Sequence, residues 1–322
     1  MRRVRFHEYG GPEVLRVERA EVPAPGPGQV LIRAEAIGAN FVDTKFRAGT
    51  GGVFQRPLPG ELTGDVVGVV EALGPNVVTV RVSDRVAALA DPAFAEYVLA
   101  DADWLAPVPD GIDDTTASML PMAAPVALRA LRVGRVAPGE TVVVHAAAGG
   151  IGHLAVQLAQ LLGAGTVIAT ASTTAKLDFA RSYGADIGVN YTEGDWQDQV
   201  RAAAPNGVDV VLDSIGGAMT QQSIDLLAPF GRTVVYGAAS GEIPDIPATS
   251  LFGLKYVAGF SLLAWRTARP EQARQEMTEL SEHVREGRLR AALHSTFPLA
   301  DAAKAHQLLE DRGQLGRVLL IP

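Results

Sequence analysis

The strongest chemical signal in the sequence is a run of small residues that follows an apolar segment, residues 141–145. It spaces Ala146, Gly149 and Gly152 as A-x-x-G-x-x-G, with Ala146 where the usual fingerprint has its first Gly, and opens an apolar pattern of helical period. Small residues let a backbone approach a pyrophosphate, and free N–H groups at a helix N-terminus favour its charge. The segment therefore predicts a dinucleotide-binding loop. The alternative is a tight turn that binds nothing.

The residues after the next apolar strand, 166–170, bear on which dinucleotide binds. An NAD-preferring site usually places Asp or Glu there to hold the ribose 2′-hydroxyl. Here Ser172, Thr173 and Lys176 follow, and the first acid is Asp178, inside the next helix. Hydroxyls and an ammonium group suit a 2′-phosphate, so the sequence predicts NADPH rather than NADH. Ser172 and Thr173 are also good helix N-caps, a role that is compatible with phosphate binding.

The type of secondary structure that the sequence predicts, and that must position these residues, changes along the chain. The first third has short strand-like runs between Gly/Pro turns and predicts a compact, mostly β domain with a few helices. From residue 141 strands alternate with helices, which is typical of a parallel sheet with crossover helices. We expect the tail after about residue 262 to return and complete the first domain. The predicted domains are residues 1–122 with 263–322, and residues 123–262.

Composition limits the classes of function. The 28 Lys and Arg against 36 Asp and Glu give a net charge of −8, which argues against a general binder of nucleic acid or anionic membranes. No Cys is present, which excludes disulfides, thiolate nucleophiles and any zinc site with a sulfur ligand. No apolar run is long enough to span a bilayer, and the basic N-terminus lacks the apolar core of a secretory signal. We therefore expect a cytoplasmic protein.

The six histidines show no metal-ligand spacing. His145 ends an apolar strand, where a structural role is expected. We expect the side chains of His7, His283, His294 and His306 to lie on the protein surface.

Several further segments resemble the zinc-independent, ζ-crystallin-like quinone oxidoreductases of the medium-chain dehydrogenase/reductase superfamily. The resemblance covers nearly the whole chain. It includes residues 6–15, an N-x-x-D…R-x-G pattern through Asn40, Asp43 and Arg47, and residues 145–152, 189–191, 213–217 and 319–322. The fold that it implies is α/β, with a Rossmann doubly wound parallel sheet domain and a GroES-like mostly β domain. It also implies an active site in the cleft between them and a homodimer paired through an edge strand, residues 255–260.

The resemblance also implies site residues. Asn40 and Asp43 would lie near the nicotinamide, and Val126 stands where many members have a Thr that contacts it. The predicted cofactor-binding residues are Asn40, Val126, Ala148, Gly149, Gly150, Ile151, Gly152, Ser172, Thr173, Lys176, Tyr191, Ser214, Tyr236, Gly237 and Ala238. The predicted catalytic residues are Asn40, Asp43, Lys45 and Arg47, and no metal is expected.

The predicted reaction is hydride transfer from NADPH to a quinone or an α,β-unsaturated carbonyl. Without a Lewis acid, oxidation of an unactivated alcohol lacks its usual stabilisation of the alkoxide, whereas an electrophilic acceptor needs less help. Asn40, Lys45 or Arg47 would stabilise charge on the acceptor oxygen. For Arg47 the alternative is a structural ion pair, and for Lys45 a solvated side chain. Family members commonly have Tyr at the position of Lys45, so this acceptor pocket is expected to be more polar.

Two other functions stay open at this point. One is an enoyl reductase acting on a CoA- or carrier-linked acyl chain, for which Arg47, Arg56 and Arg129 are candidate contacts of the phosphopantetheine arm. The alternative for these arginines is that they are exposed charges that serve solubility. The other is a protein that binds NADPH with little turnover. The sequence identifies neither the physiological acceptor nor the direction of the reaction in the cell.

Overall fold

The computed structural model describes the 322 residues of the chain apart from the side chain of Val53. The strands, in chain order, are β1 (Arg2–Phe6), β2 (Leu15–Arg19), β3 (Gln29–Ala39), β4 (Gly64–Leu73), β5 (Arg85–Ala90), β6 (Tyr97–Asp101), β7 (Ala106–Pro107), β8 (Thr141–Val144), β9 (Thr166–Ala171), β10 (Ile187–Asn190), β11 (Val208–Asp213), β12 (Leu227–Val235), β13 (Tyr256–Gly259), β14 (Leu293–Pro298) and β15 (Arg317–Ile321).

The helices are mostly short and lie largely in the second half of the chain. In chain order they are α1 (Phe41–Ala48), α2 (Asp114–Ala117), α3 (Ala123–Val133), α4 (Gly152–Leu161), α5 (Thr174–Ser182), α6 (Trp196–Ala203), α7 (Ala218–Leu226), α8 (Leu262–Ala268), α9 (Pro270–Arg285) and α10 (Ala302–Glu310). Within the part of the chain that the structure describes, none of them has both the length and the apolar character needed to cross a membrane.

The chain divides into two compact units, Met1–Met122 with Arg274–Pro322, and Ala123–Ala273. The first unit is built around a sheet of order β14-β15-β3-β4-β5-β7, with β6 pairing β3. In this sheet β15 runs antiparallel to β3, with Val318 opposite Ala39. The last strand of the chain thus pairs with a strand of the first third. A buried apolar core that includes Phe6, Ile32 and Leu62 packs beneath the sheet.

The second unit holds a six-stranded parallel sheet of order β10-β9-β8-β11-β12-β13. Counted within the unit this order is 3-2-1-4-5-6, the doubly wound arrangement of dinucleotide-binding domains. The central strands β8, β9 and β11 are apolar and almost fully buried, as expected for a parallel sheet covered by helices on both faces. The predicted α/β class, a doubly wound parallel sheet domain with a mostly β domain, is confirmed.

The winding of this sheet creates one special position. From β8 the chain first adds β9 on one side of the sheet and later returns to add β11 on the other side. The order of strands therefore reverses its direction at β8. In such sheets the crevice outside the carboxyl end of the strand at this switch point receives the ligand. The A-x-x-G-x-x-G segment begins at that end of β8.

Candidate functional site

The segment after β8 leaves the sheet through a single residue of unusual conformation. The His145 N–H donates to Leu212 O of β11 at 3.2 Å, and the Ala147 N–H donates to Thr170 O of β9 at 3.1 Å. Ala146, between them, has a φ of +49°, in the left-handed region that favours Gly. The chain therefore needs a left-handed residue where it switches from one neighbouring strand to the other. This explains why the usual fingerprint has Gly at the position of Ala146.

The two glycines of the A-x-x-G-x-x-G pattern, Gly149 and Gly152, meet different constraints. A Cβ on Gly152 would lie 2.3 Å from Ala146 O, so only Gly permits this close approach of α4 to the strand end. A Cβ on Gly149 would meet only Ala146 O, at 3.3 Å, which leaves its other side open. No side chain caps α4 at Ile151, so N–H groups at the start of this ten-residue helix are available to an anion. Ala148 is buried, while Gly149, Gly150 and Ile151 are partly exposed. These residues fit a bound pyrophosphate.

A second cluster lies at the carboxyl end of β9. Thr173 Oγ1 accepts a hydrogen bond from the Lys176 N–H at 3.3 Å and caps α5, and Lys176 Nζ donates to Ser172 Oγ at 3.1 Å. The Tyr191 N–H donates to Ala171 O at 3.1 Å, which places Tyr191 beside the same strand end. An ammonium group with nearby hydroxyls fits a phosphate monoester, and this group contains no carboxylate that would repel it.

The ends of β11 and β12 form a third cluster. The Tyr236 N–H donates to Asp213 O at 2.9 Å, and a Cβ on Gly237 would lie 2.9 Å from Ser214 O. Burial raises the pKa of Tyr236 to about 12, and its hydroxyl bonds with Ser214. The phenol is therefore protonated at neutral pH. Ala238 follows, partly exposed, and accepts from the Gly241 N–H at 2.9 Å.

Val126 lies on α3, where its side chain is 8% exposed. An apolar residue at this position offers no hydrogen bond to a ligand.

The first unit contains a buried polar cluster where α1 begins. Asn40 precedes α1, but its side chain does not cap the helix. Instead, Asn40 Nδ2 donates to Gly38 O at 3.3 Å and to Asp65 Oδ2 at 3.2 Å. Arg317 Nη2 also donates to Asp65 Oδ2, at 2.7 Å, and Arg317 Nε donates to Ser118 Oγ at 2.9 Å. Asp65 therefore orients Asn40.

The partners of Asn40 were not predicted from the sequence. The signal was present, since Asp65 and Arg317 are charged residues at the starts of largely apolar strands. Such charges are rarely buried unless they are paired.

Asp43 lies fully buried on the first turn of α1. Its Oδ1 accepts from both the N–H and the Oγ1 of Thr63, each at 2.8 Å, while its Oδ2 has no hydrogen-bond partner among the residues that the structure describes. Burial raises the pKa of Asp43 to about 7, although the Thr63 bonds favour the charged form. The carboxyl group therefore titrates near neutral pH.

Comparison with known proteins identifies both units. Residues 26–110 match the alcohol dehydrogenase GroES-like domain, and residues 150–282 match the family described as zinc-binding dehydrogenase. The chain is 36% identical to 2-haloacrylate reductase from Burkholderia sp., over 98% of each chain. The chain belongs to the quinone oxidoreductase family of the medium-chain dehydrogenase/reductase superfamily. This confirms the family prediction and the GroES-like nature of the mostly β domain.

Two solved relatives show the same fold with a cofactor. A mycobacterial protein complexed with NADPH has 37% identity and a TM-score of 0.94, over 100% of both chains. The Escherichia coli quinone oxidoreductase complexed with NADPH has 31% identity and a TM-score of 0.92, also over 100% of both chains.

Arg47 is 1% exposed and has partners in two other parts of the first unit, the segment after β1 and α10. Its Nε donates to Gly10 O at 3.0 Å, its Nη1 lies 3.4 Å from His306 Nδ1, and its Nη2 pairs with Glu310 on α10. These contacts join α1 to α10. They match the structural ion pair that the sequence left as the alternative for Arg47.

The predicted surface position of His306 is wrong. His306 is fully buried between Arg47 and the Phe94 ring, whose centroid lies 5.7 Å away. Residues 302, 305, 306 and 309 form the inward face of α10, so helical periodicity turns His306 towards the core. Burial and the Arg47 charge lower its pKa to about 3, so the imidazole is neutral.

Lys45 lies half-buried on α1, one turn after Phe41. Its Nζ lies 5.1 Å from the centre of the Phe41 ring. Burial and the nearby charge of Arg312 lower the pKa of Lys45, while Glu310 opposes this shift. Its ammonium group therefore releases a proton more readily than that of an exposed Lys.

Metal-ligating side chains do not converge in the described parts of the chain. No group of three or more His, Cys, Asp or Glu residues there is arranged to hold a metal ion.

Proposed function

We propose that the chain is an NADPH-dependent oxidoreductase that reduces a quinone or another α,β-unsaturated carbonyl compound. The observation that carries the proposal is the combination, in one parallel sheet, of an uncapped glycine loop at the switch point and a Lys176–Ser172 pair at the end of the next strand. The NADPH complexes of two full-length relatives support the same cofactor.

The residues of the second unit would hold the cofactor in sections. The loop from Ala148 to Gly152 would bind the pyrophosphate through backbone N–H groups and the α4 N-terminus. Ser172, Thr173 and Lys176, with Tyr191, would bind the 2′-phosphate. The residues assigned to the nicotinamide half are Ser214, Tyr236, Gly237, Ala238 and Val126. When bound, NADPH supplies the hydride for the reduction.

The residues of α1 would serve the acceptor. Asn40, oriented by Asp65, and Lys45 are the donors that would stabilise negative charge on the acceptor oxygen. Lys45 Nζ holds a proton that this oxygen can take, because burial lowers the pKa of the group. Asp43 and Arg47 are assigned positioning roles, since both are buried and bonded to residues outside α1.

The proposed class of acceptor rests on a chemical feature that is shared by the compounds for which the relatives are named. Relatives are named for quinones and for 2-haloacrylate, and both compounds have a C=C bond conjugated to an electron-withdrawing carbonyl carbon. Reduction of either requires a hydride at carbon and a proton at the developing negative charge. A donor pair such as Asn40 and Lys45 suits both.

The contacts of Arg47, Arg56 and Arg129 argue against a groove that binds a phosphopantetheine arm. Arg47 is buried in its ion pair. Arg56 donates two hydrogen bonds to the Asp91 carboxylate, at 2.8 and 3.0 Å, and its guanidinium lies 4.1 Å from the centre of the Phe46 ring. The guanidinium of Arg129 lies 3.6 Å from the centre of the Trp265 ring. Each has a structural contact that a carrier arm would have to displace.

A homodimer through β13 is part of the proposal. This strand is the edge of the parallel sheet, and Tyr256 on it is 46% exposed. An open edge presents unpaired backbone groups that a second copy can use. Size-exclusion chromatography with light scattering should give a dimer, and Val257→Pro on β13 should give a monomer. A wild-type monomer would contradict this part. The cytoplasmic location stays a prediction from the sequence.

The test is the loss of NADPH absorbance with an acceptor panel, run in parallel with NADH. The panel holds 1,4-benzoquinone, a naphthoquinone, an alkyl enone, 2-chloroacrylate and crotonyl-CoA. Turnover of a quinone or enone with NADPH but little with NADH is expected. Turnover of crotonyl-CoA alone would instead indicate an enoyl reductase. Tight NADPH binding without reduction of any acceptor would indicate the binding protein.

A further inference from the structure

A buried chain of hydrogen bonds lies directly beneath the start of the glycine loop. His145 Nδ1 lies 2.7 Å from Thr170 Oγ1, and His145 Nε2 lies 2.8 Å from Ser223 Oγ. Ser223 Oγ donates in turn to Met219 O at 2.7 Å. The side chains of His145, Thr170 and Ser223 are fully buried. The chain of bonds joins the end of β8 to β9 and to α7.

The partners fix the tautomer of His145. Ser223 has one hydroxyl hydrogen, which it gives to Met219 O, so its oxygen accepts from an N–H at His145 Nε2. His145 Nδ1 then carries no hydrogen and accepts from the Thr170 hydroxyl. Burial lowers the pKa of His145 and outweighs the attraction of the Asp213 carboxylate, so the ring is neutral. The Trp196 ring packs edge-on against it, with centroids 5.9 Å apart.

Thr170 holds both residues that flank Ala146. Its side chain bonds to the ring of His145, and its carbonyl oxygen accepts from the Ala147 N–H at 3.1 Å. On the other side the His145 N–H is held by Leu212 O. Ala146 is thereby fixed between two anchored neighbours in a conformation that an L-residue rarely adopts. The Ala146 carbonyl oxygen accepts from the Gly149 N–H at 2.9 Å, so the fixed conformation of Ala146 also positions Gly149 in the loop.

We propose that His145 is a positioning residue for the dinucleotide. Its neutral Nε2–H tautomer ties β8 to β9 and α7, holds Ala146 in the left-handed conformation, and so sets the loop that binds the pyrophosphate. The inference rests on the proposed NADPH binding. His145 acts through the loop and has no contact of its own with the cofactor. Its loss should affect the pyrophosphate and spare the 2′-phosphate cluster at Ser172 and Lys176.

The test compares two ligands. NADPH spans the loop and the 2′-phosphate cluster, whereas adenosine 2′-monophosphate has no pyrophosphate. His145→Phe keeps a ring of similar size and removes both hydrogen bonds. We expect it to weaken NADPH binding by about tenfold, the effect of one or two lost hydrogen bonds, while binding of adenosine 2′-monophosphate changes less than about twofold. His145→Gln, whose amide nitrogen can reach Ser223, should recover part of the loss.

The matched control is Glu140→Gln. It weakens the partly buried pairing of Glu140 with Arg232, at 2.8 and 2.9 Å, at the opposite end of the same sheet. This variant should lose stability without changing the ratio of the two dissociation constants.

Three results would overturn the inference. One is a folded His145→Phe variant that binds NADPH as the wild type does. Another is a loss of affinity in equal proportion for both ligands, which would indicate a general loss of structure. The third needs only the wild type: ¹⁵N NMR should find His145 neutral and protonated at Nε2, and a hydrogen at Nδ1 would contradict the proposal. A wild-type chain that binds adenosine 2′-monophosphate but not NADPH would overturn the proposed function and this inference together.

Discussion

Arg317 Nη2 lies 2.7 Å from Asp65 Oδ2, and both side chains are buried. The two residues are 252 positions apart, on β15 and β4, which are the strands on either side of β3. The pair passes Gly38 on β3, where a Cβ would lie 2.3 Å from Arg317 Nη2. A glycine in the middle strand therefore lets the last strand of the chain be tied to the strand that orients Asn40.

Arg317→Met should strongly destabilise the protein. It leaves Asp65 buried without its cation, and breaking a buried pair by removing one partner costs about 3–5 kcal/mol. Urea denaturation would measure the loss in the free energy of unfolding. The control is Arg181→Met, which removes an exposed pair with Asp178 and should cost less than about 1 kcal/mol. Equal losses for the two variants would contradict the structural importance of the Arg317–Asp65 pair.

Asp43→Asn should become more stable, relative to the wild type, as the pH rises. Burial raises the Asp43 pKa from 3.8 to about 7, so the folded state holds a proton that the unfolded state has lost. The favourable contribution of the raised Asp43 pKa to the free energy of unfolding is complete below pH 3.8 and disappears as the pH rises through about 7. The amide of the Asn variant stays neutral at every pH. The difference should reach a few kcal/mol, at about 1.4 kcal/mol per pKa unit.

Urea denaturation of both proteins at several pH values checks this. The His306 pKa, lowered from 6.5 to about 3, gives a slope of opposite sign that is the same in both proteins and cancels in the comparison. A stability difference between the proteins that does not vary with pH would show that folding does not raise the pKa of Asp43.

Ala146→Gly should leave stability unchanged or raise it by at most about 1 kcal/mol. Gly relieves a left-handed conformation that costs an L-residue about 1–2 kcal/mol, but it loses more entropy on folding. Ala146→Val should destabilise the protein, because a β-branched side chain is strained at positive φ. Thermal unfolding distinguishes the two. A clearly destabilised Gly variant would contradict the left-handed backbone at residue 146.

Gly152→Ala should abolish tight NADPH binding. The added Cβ would lie 2.3 Å from Ala146 O and 2.7 Å from Ala147 Cα, both backbone atoms that cannot move without distorting the loop. Fluorescence titration would measure the loss. Gly194→Ala is the control, because no atom lies within 4 Å of a Cβ there. Unchanged NADPH affinity in Gly152→Ala would place the pyrophosphate elsewhere.

Lys176→Ala should weaken NADPH binding much more than NADH binding. Lys176 Nζ lies beside Ser172 Oγ and would lose a charge-assisted bond to the 2′-phosphate, a bond that contributes about 1.5–3 kcal/mol and that NADH does not make. Lys304→Ala, which removes an exposed Lys from α10, is the control. Equal losses for the two dinucleotides would exclude Lys176 as the phosphate ligand.

Local patterns determined much of this protein in advance. The apolar run 317–321 predicts a strand, and β15 has those bounds. The alternation of strand and helix after residue 141 predicts the doubly wound sheet, because parallel strands need crossover helices. The run 232–237 also predicts a strand, but β12 begins at Leu227, five residues earlier, and passes Phe230 at a φ of +66°. Propensity gives no sign of such a turn within a strand.

The sequence by itself determined the family, the position of the glycine loop and the lack of an acid that would favour NADH, because these depend on residues close together in the chain. Only the tertiary structure decided which charges and hydroxyls meet. His145 finds Ser223 78 residues away, and Arg47 finds Glu310 263 residues away. A hydrogen bond forms only when two atoms come within about 3 Å, and separations of this kind are set by the packing of whole strands and helices. The same packing placed His306 in the core and made Ala146 adopt the conformation of a glycine.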